Sequence, residues 1–281
     1  MTKKIRHYRL VSLERQLIGL KGVMNARELG GYENKHDRVI KRCKLIRTGQ
    51  LYSADTKDKK ILNEDYNVGT IIDFRSEFET ASQPDPPIFG ARYYNLPVLA
   101  LRFTESDLQK IQRSSEEKDN GISLMLLAEA GMTADTAVYD RIMFGEPAKK
   151  AYKRFFELLL ENDDEHSVLF HCTQGKDRTG IAAALLLTLL DVPDEIIMSD
   201  YLLTNSANAR IIQSDIDAVM LHNADNGIID SVRRMNGVSE YLIEYVLSKA
   251  RVEYGSVRDF IKKTYELSEA DIAELNQKYL I

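Results

Sequence analysis

Ten consecutive residues carry the densest chemistry in this chain: His171-Cys172-Thr173-Gln174-Gly175-Lys176-Asp177-Arg178-Thr179-Gly180. A thiol cleaves a phosphate ester only as the thiolate, and a free cysteine titrates at about 8.5. A helix starting just downstream of Cys172 would supply partial positive charge and unpaired N–H groups. Those amides, across Thr173, Gln174, Gly175, Lys176, Asp177 and Arg178, can cradle three phosphate oxygens. Gly175 lets the loop curl so that they converge. Arg178 returns over the loop end, where its planar fork binds two oxygens and grips harder as charge builds on the transferring group. Thr179 can donate its hydroxyl to the thiolate. His171 orients the loop by hydrogen bonding and helps to lower the thiol pKa, a role compatible with a satisfied strand-end histidine. A structural cysteine before an ordinary helix would account for Cys172, but not for Gly, Lys, Asp, Arg and Thr at this spacing after a strand.

The departing oxygen needs a proton, so a general acid must exist. Asp73, at a strand end, is the first choice and Asp177, inside the loop, the second; Asp85 and Asp140 follow. An ion pair of Asp73 with Arg75 or Arg47 is the plainer alternative. Arg27, Arg47 and Arg75 brace the loop or substrate, or simply pair with nearby acids. Cys43 lies between Arg42 and Lys44, charges that would lower its pKa, yet reads better as a strand filler.

Such a loop needs a strand to deliver it and a helix to receive it. Residues 167–170 are strand-like, and residues 181–190, rich in Ala and Leu with no breaker before Pro193, read as helix. The run 68–74 is short, apolar and β-branched, a buried strand ending at Asp73. Pro84, Pro86 and Pro87 break the chain before another strand over 91–96. Residues 22–50 read as turns and a hairpin, 55–66 and 146–161 as helices, and 99–146 as a helical insertion able to lie over the site. The part 206–281 reads as helical, with caps at Ser239, Ser256 and Ser268. Alternating strands and helices imply an α/β fold with a central, mainly parallel sheet flanked by helices. Sites in such sheets lie at the carboxyl ends of strands, where Asp73 and His171-Cys172 fall.

The bulk numbers fit one globular domain over 1–281: 44% of the 281 residues are hydrophobic, 29% are charged and six are proline. The formal net charge of -5 is scattered, unlike the basic face of a general nucleic-acid binder. An anionic substrate must therefore be drawn in by a local site. A chain this long does not need to pair its two cysteines, so a reducing cytoplasm is the expected compartment. MTKKIRHYRL leads into no apolar signal core, and the stretch 181–190 is too short to span a bilayer. No His/Cys/acid set has ligand spacing, so neither metal nor other cofactor is expected.

HCTQGKDRTG carries the Cys-x5-Arg-Thr signature of the protein tyrosine phosphatase superfamily, and its form resembles the atypical bacterial tyrosine/serine phosphatases, which also act on phosphoinositides. Asn25-Ala26-Arg27-Glu28-Leu29-Gly30-Gly31-Tyr32 is similar to that family's Asn-x-Arg-Asp-Leu-Gly-Gly motif. Ile46-Arg47-Thr48-Gly49 and Ile72-Asp73-Phe74-Arg75-Ser76 are similar to its two intervening signatures. The likeness runs from about Gly22 to Asn205. Ala26, Glu28, Thr48 and Phe74 depart from the usual Phe, Asp, Ser and Leu, and none removes a catalytic group. The resemblance implies a phosphatase-like fold with a lid from an insertion, and a phosphocysteine intermediate. Its substrates would be phosphotyrosine proteins, with phosphoserine/threonine and phosphoinositides behind them. Lys176 would add a second charge for substrates bearing more than one phosphate. The Trp-Pro-Asp loop of common tyrosine phosphatases is missing, since the chain has no Trp. Two alternatives are disfavoured: a phosphate-binding module without turnover by the intact Cys172, Arg178 and Thr179, and a rhodanese-like sulfurtransferase by the Gly-Lys-Asp-Arg-Thr-Gly run and the other motifs.

Overall fold

The structure, a computed structural model, describes residues 12–99, 109, 113–114, 116–129 and 134–281. About a third of the expected insertion at 99–146 therefore lies outside the described residues. Five strands form one sheet: β1 (Arg27–Glu28), β2 (Leu45–Thr48), β3 (Val68–Asp73), β4 (Arg92–Asn95) and β5 (Ser167–His171). Their order is β1-β2-β5-β3-β4, parallel throughout except for β1 against β2. The mainly parallel sheet read from the sequence is thus present, with one short antiparallel edge. The hairpin expected over 22–50 closes through Arg27 opposite Arg47, whereas Val39 and Ile40 make only isolated bridges, to Glu33 and Leu280.

Around the sheet lie α1 (Leu13–Gln16), α2 (Thr56–Lys60, continued by a π turn at Ile61–Asp65), α3 (Glu77–Ser82), α4 (Asn120–Glu129), α5 (Thr136–Phe144), α6 (Glu146–Glu161) and α7 (Asp177–Leu189). The C-terminal part adds α8 (Asp194–Ala207), α9 (Ala209–Met220), α10 (Asn226–Asn236), α11 (Glu240–Tyr254), α12 (Val257–Tyr265) and α13 (Glu269–Tyr279). The central strands are apolar on both faces because both are covered. Ile72, Val168 and Phe170 join the larger core with Tyr139, Tyr152, Phe155 and Leu186, and Ile46, Ile71 and Leu169 join a second core with Ile18, Leu51 and Leu62.

Local chemistry explains the helix ends. Asp55 caps α2 and Ser268 caps α13 with reciprocal capping boxes, while Ser256 accepts from the Asp259 amide. Ser239 sits at the start of α11 but makes no side-chain cap. Helix α7 begins at Asp177, earlier than the Ala/Leu run at 181, because its polar first turn belongs to the helix. Within 99–146, α5 is core: Tyr139, Ile142 and Met143 are buried, whereas α4 packs with α9 and α10 in a small separate cluster around Leu124, Ile216, Val219 and Val232.

Phe155 meets Phe74, Phe156 and Phe170 at ring separations of 5.2–5.6 Å, tying α6 to the strands beneath the site. Phe155→Ala is expected to cost about 3–5 kcal/mol in urea denaturation, from lost burial plus an unfilled cavity.

Candidate active site

Strand register brings the motif residues together. Thr48 ends β2 beside His171, and Asp73 ends β3 on the other side of His171, so three sequence-distant signatures share one sheet edge. Cys172 follows directly, 2% exposed and a free thiol.

The loop after Cys172 is held by its carbonyls. Gln50 N–H donates to Thr173 O (3.0 Å), Asn25 Nδ2 to Gln174 O (3.2 Å) and Gly175 O (2.9 Å), and Arg47 Nη2 to Gly175 O (2.8 Å). With the carbonyls engaged, the amides of Thr173 to Arg178 have no acceptor among the described residues. Gly175 is obligatory on two counts: φ is +65°, and an added Cβ would lie 2.3 Å from Thr48 O. The Thr179 hydroxyl is fully buried and has no hydrogen-bond partner among the described residues, so an acceptor in the site would be welcome to it.

Arg178 is aimed by Glu79, whose two oxygens accept from Nη1 and Nη2 at 2.8 Å each. Thr173 Oγ1 donates to the same carboxylate. Burial would raise Glu79, but Arg178 and Thr173 outweigh it and hold the carboxyl down at about 2. Glu79 also closes the capping box of α3 with Ser76; its sequence spacing announces the cap and gives no hint of Arg178. Lys176 is 7% exposed and donates to Arg234 O (2.8 Å) and Met235 O (2.6 Å), at the carboxyl end of α10. It is therefore neither a solvated loop lysine nor, in this state, free for a second phosphate.

Beneath the loop, Asp200 of α8 pairs with two arginines from different signatures. Arg27 Nε lies 3.1 Å from Oδ1, Arg47 Nη1 reaches Oδ2, and Tyr32 Oη donates to Oδ1 at 2.9 Å. All three charged side chains are buried. Burial opposes the charge of Asp200, yet the two guanidiniums keep its carboxyl below the usual range. No motif flagged Asp200, which is one acid among many in a helix.

Asp73 has a similar fate. Arg75 grips it through Nε and Nη2 (2.7–3.0 Å), and Tyr93 Oη donates to Oδ2 at 2.7 Å. Burial pushes the Asp73 carboxyl up, but His171, Arg75 and Tyr93 together hold it below its ordinary value. With both oxygens engaged by Arg75 and Tyr93, this carboxylate is committed to bracing, which argues against the first choice for the acid. Asp85 Oδ2 lies 3.0 Å from His171 Nε2 and 2.8 Å from Arg75 Nη2, while its Oδ1 accepts from Leu51 N–H. His171 is raised above its ordinary pKa: burial lowers it, but Asp73 and Asp85 prevail. Its ring Nδ1 hydrogen-bonds the Cys172 carbonyl at 3.2 Å. Asp73, Asp85 and His171 also form the one group of ligand-type atoms within 4.8 Å of one another among the described residues, a cluster that sequence spacing did not reveal. The Arg75 guanidinium, in contact with both carboxylates, already supplies the cation there.

Asp177 differs. It opens α7 within the loop, its side chain keeps 17% exposure, and Oδ1 accepts from Tyr139 Oη at 2.6 Å. Asp140 lies apart, bound to Lys249 and Tyr245. Cys43 is an exposed turn residue at φ 56° rather than a strand filler; burial and Glu28 raise its pKa over the opposing Arg42 and Lys44.

Two consequences are measurable. Asp200→Ala leaves Arg27 and Arg47 buried without their carboxylate and should cost about 3–5 kcal/mol of unfolding free energy. Glu79 titrates at about 2 in the fold against an ordinary 4.5, so the stability it contributes is present above 4.5 and lost as pH falls toward 2. A Glu79→Gln variant should accordingly show a flatter fall in Tm over that acid window than the parent.

Comparison with known proteins agrees with this geometry. A protein of Cupriavidus necator, named provisionally as a tyrosine-protein phosphatase, is 28% identical over 261 residues, covering 92% of this chain and 86% of its own. A tyrosine-protein phosphatase of Nostoc commune is 27% identical over 237 residues, 82% of this chain and 72% of its own. The triple specificity protein phosphatase PtpB of Mycobacterium tuberculosis is 24% identical over 263 residues, 85% of this chain and 94% of its own. The family model described as "Tyrosine phosphatase family" matches residues 18–281, so the likeness extends past Asn205 through the C-terminal helices. With almost the whole chain inside that match, the protein belongs to the tyrosine phosphatase family.

Proposed function

We propose that this tyrosine phosphatase works through a phosphocysteine intermediate, with Cys172 as nucleophile and Asp177 rather than Asp73 as general acid. The observation that carries the reading is the loop after Cys172: its carbonyls are tied outward and its amides have no acceptor among the described residues. A phosphoryl group placed there accepts from those amides and from the fork of Arg178, which Glu79 keeps aimed. The Cys172 thiolate, beside His171 and the start of α7, attacks phosphorus. The Sγ–P bond forms, the P–O bond breaks, and the leaving oxygen takes the proton of Asp177. Water then cleaves the Sγ–P bond, with Asp177 now acting as base. Thr179 donates to the thiolate that departs. No step calls for a metal ion.

Phosphotyrosine is the first substrate of this site, with phosphoserine/threonine next. Phosphoinositides come last, because Lys176 is committed to the carbonyls ending α10 and a second phosphate would have to compete for it. The name of PtpB, which speaks of triple specificity, supports keeping all three classes in the assay.

Turnover of para-nitrophenyl phosphate should survive EDTA and stop with vanadate or thiol alkylation, and Cys172→Ser should lower kcat by at least about 10³. Strict dependence on an added divalent ion would contradict the mechanism. Asp177→Asn should slow a phosphoserine peptide by roughly 10²–10⁴ and spare para-nitrophenyl phosphate by comparison. Asp73→Asn should reduce both rates alike and lower Tm, the mark of a brace. The reverse pattern would return the acid to Asp73.

A further inference from the structure

We propose that Tyr139, backed by Tyr201, is a positioning residue for the acid: it holds Asp177 by one carboxylate oxygen so that the other faces the leaving group. The inference rests on reading Asp177 as that acid. Tyr139 comes from α5 and is fully buried; its Oη donates to Asp177 Oδ1 at 2.6 Å. Oδ2 is left over, 3.6 Å from Lys176 Nζ. Tyr139 Oη also touches the Oη of Tyr201, from α8. A phenol has one proton to give. With that of Tyr139 committed to Asp177, Tyr201 is the donor between the two phenols, and the chain runs Tyr201 to Tyr139 to Asp177.

Both phenols are held above their ordinary pKa, by burial first and then by the charge of Asp177, so they remain donors across the working range. An independent observation concerns Gly180, the last residue of the motif. A Cβ there would stand 2.9 Å from two ring carbons of Tyr201. Glycine at that position is what lets Tyr201 lie against α7 and reach Tyr139.

The consequence for the reaction is directional. When P–O cleaves, the leaving oxygen takes the Oδ2 proton and Asp177 becomes anionic, and the hydrogen bond from Tyr139 then meets a full charge. The other titratable groups facing Asp177 are Lys176 in the loop, Arg178 on the same helix with its charge balanced by Glu79, and Tyr152 of α6. Tyr139 is the one that hydrogen-bonds its carboxylate among the described residues.

The test is a pH profile of kcat/KM for Tyr139→Phe, Tyr201→Phe and Asp177→Asn, each with a phosphoserine peptide and para-nitrophenyl phosphate. A hydrogen bond donated to a carboxylate favours its ionised form, so its loss should move the basic limb of Tyr139→Phe upward by about one pH unit. The phosphoserine peptide should fall about tenfold further than para-nitrophenyl phosphate, the factor one net hydrogen bond controls. Tyr201→Phe should shift both readouts the same way and by less, and it carries the test alone if Tyr139→Phe fails to fold. A limb that stays put, with equal losses for both substrates, would overturn the proposal and leave the tyrosines as packing. Should Asp177→Asn itself show no leaving-group dependence, the acid assignment falls first and the tyrosines with it. A normal Asp177→Asn signature with a silent Tyr139→Phe would overturn this inference alone.

Discussion

The carbonyl of Gly175 accepts from Arg47 and from Asn25, and those two hydrogen bonds set the direction of the loop that follows Cys172. A peptide group points its N–H opposite its carbonyl, so carbonyls drawn outward leave amides turned inward, where an anion can use them. Each tie has its own support. Arg47 is fixed by Asp200, Asp200 by Arg27 and Tyr32, and Asn25 takes a left-handed turn at φ 54°. Two guanidiniums against one carboxylate leave one positive charge in excess beneath the loop. Burial and Arg27 accordingly pull Arg47 below its ordinary pKa despite Asp200. A buried positive excess is costly, and a nearby anion lowers that cost.

A second buried network does the same for the other side of the loop. Asp73, Arg75, Asp85 and His171 link the end of β3 to the end of β5, and His171 passes the constraint to the Cys172 carbonyl. Glu79 completes the frame from α3 by aligning Arg178. The signatures separated by dozens of residues in the chain are thus one object. Each supplies a polar or charged side chain that helps to fix the backbone of the loop after Cys172, which explains why the motif residues cluster at adjoining strand ends.

Much of this was legible beforehand because strand and helix periodicity are local properties. The run 68–74 announces β3, Asp73 falls at its end, and the glycine-rich decapeptide fits only between a strand and a helix. What sequence could not supply was pairing. Asp73 and Asp177 are equally acidic on paper; one becomes locked by Arg75, and the other keeps an oxygen that lies 3.6 Å from Lys176 Nζ. Asp200, Glu79 and Tyr139 act through partners 173, 99 and 38 residues away, and no local pattern marks them. Cys43 failed as a strand filler because its turn requires a positive φ, which residue type alone does not disclose. The helices beyond Asn205 lay outside the resemblance, yet Arg234 and Met235 of α10 accept from Lys176 of the loop.

The central claim is a covalent bond between Cys172 and the substrate's phosphorus. Acid-quenched turnover of a phosphotyrosine peptide, followed by proteolysis and mass spectrometry, tests it most directly. The account predicts one phosphate on the peptide that contains Cys172, absent from Cys172→Ser and from enzyme quenched without substrate. Full turnover with phosphate on another residue, or with none on the chain at any quench time, would contradict it.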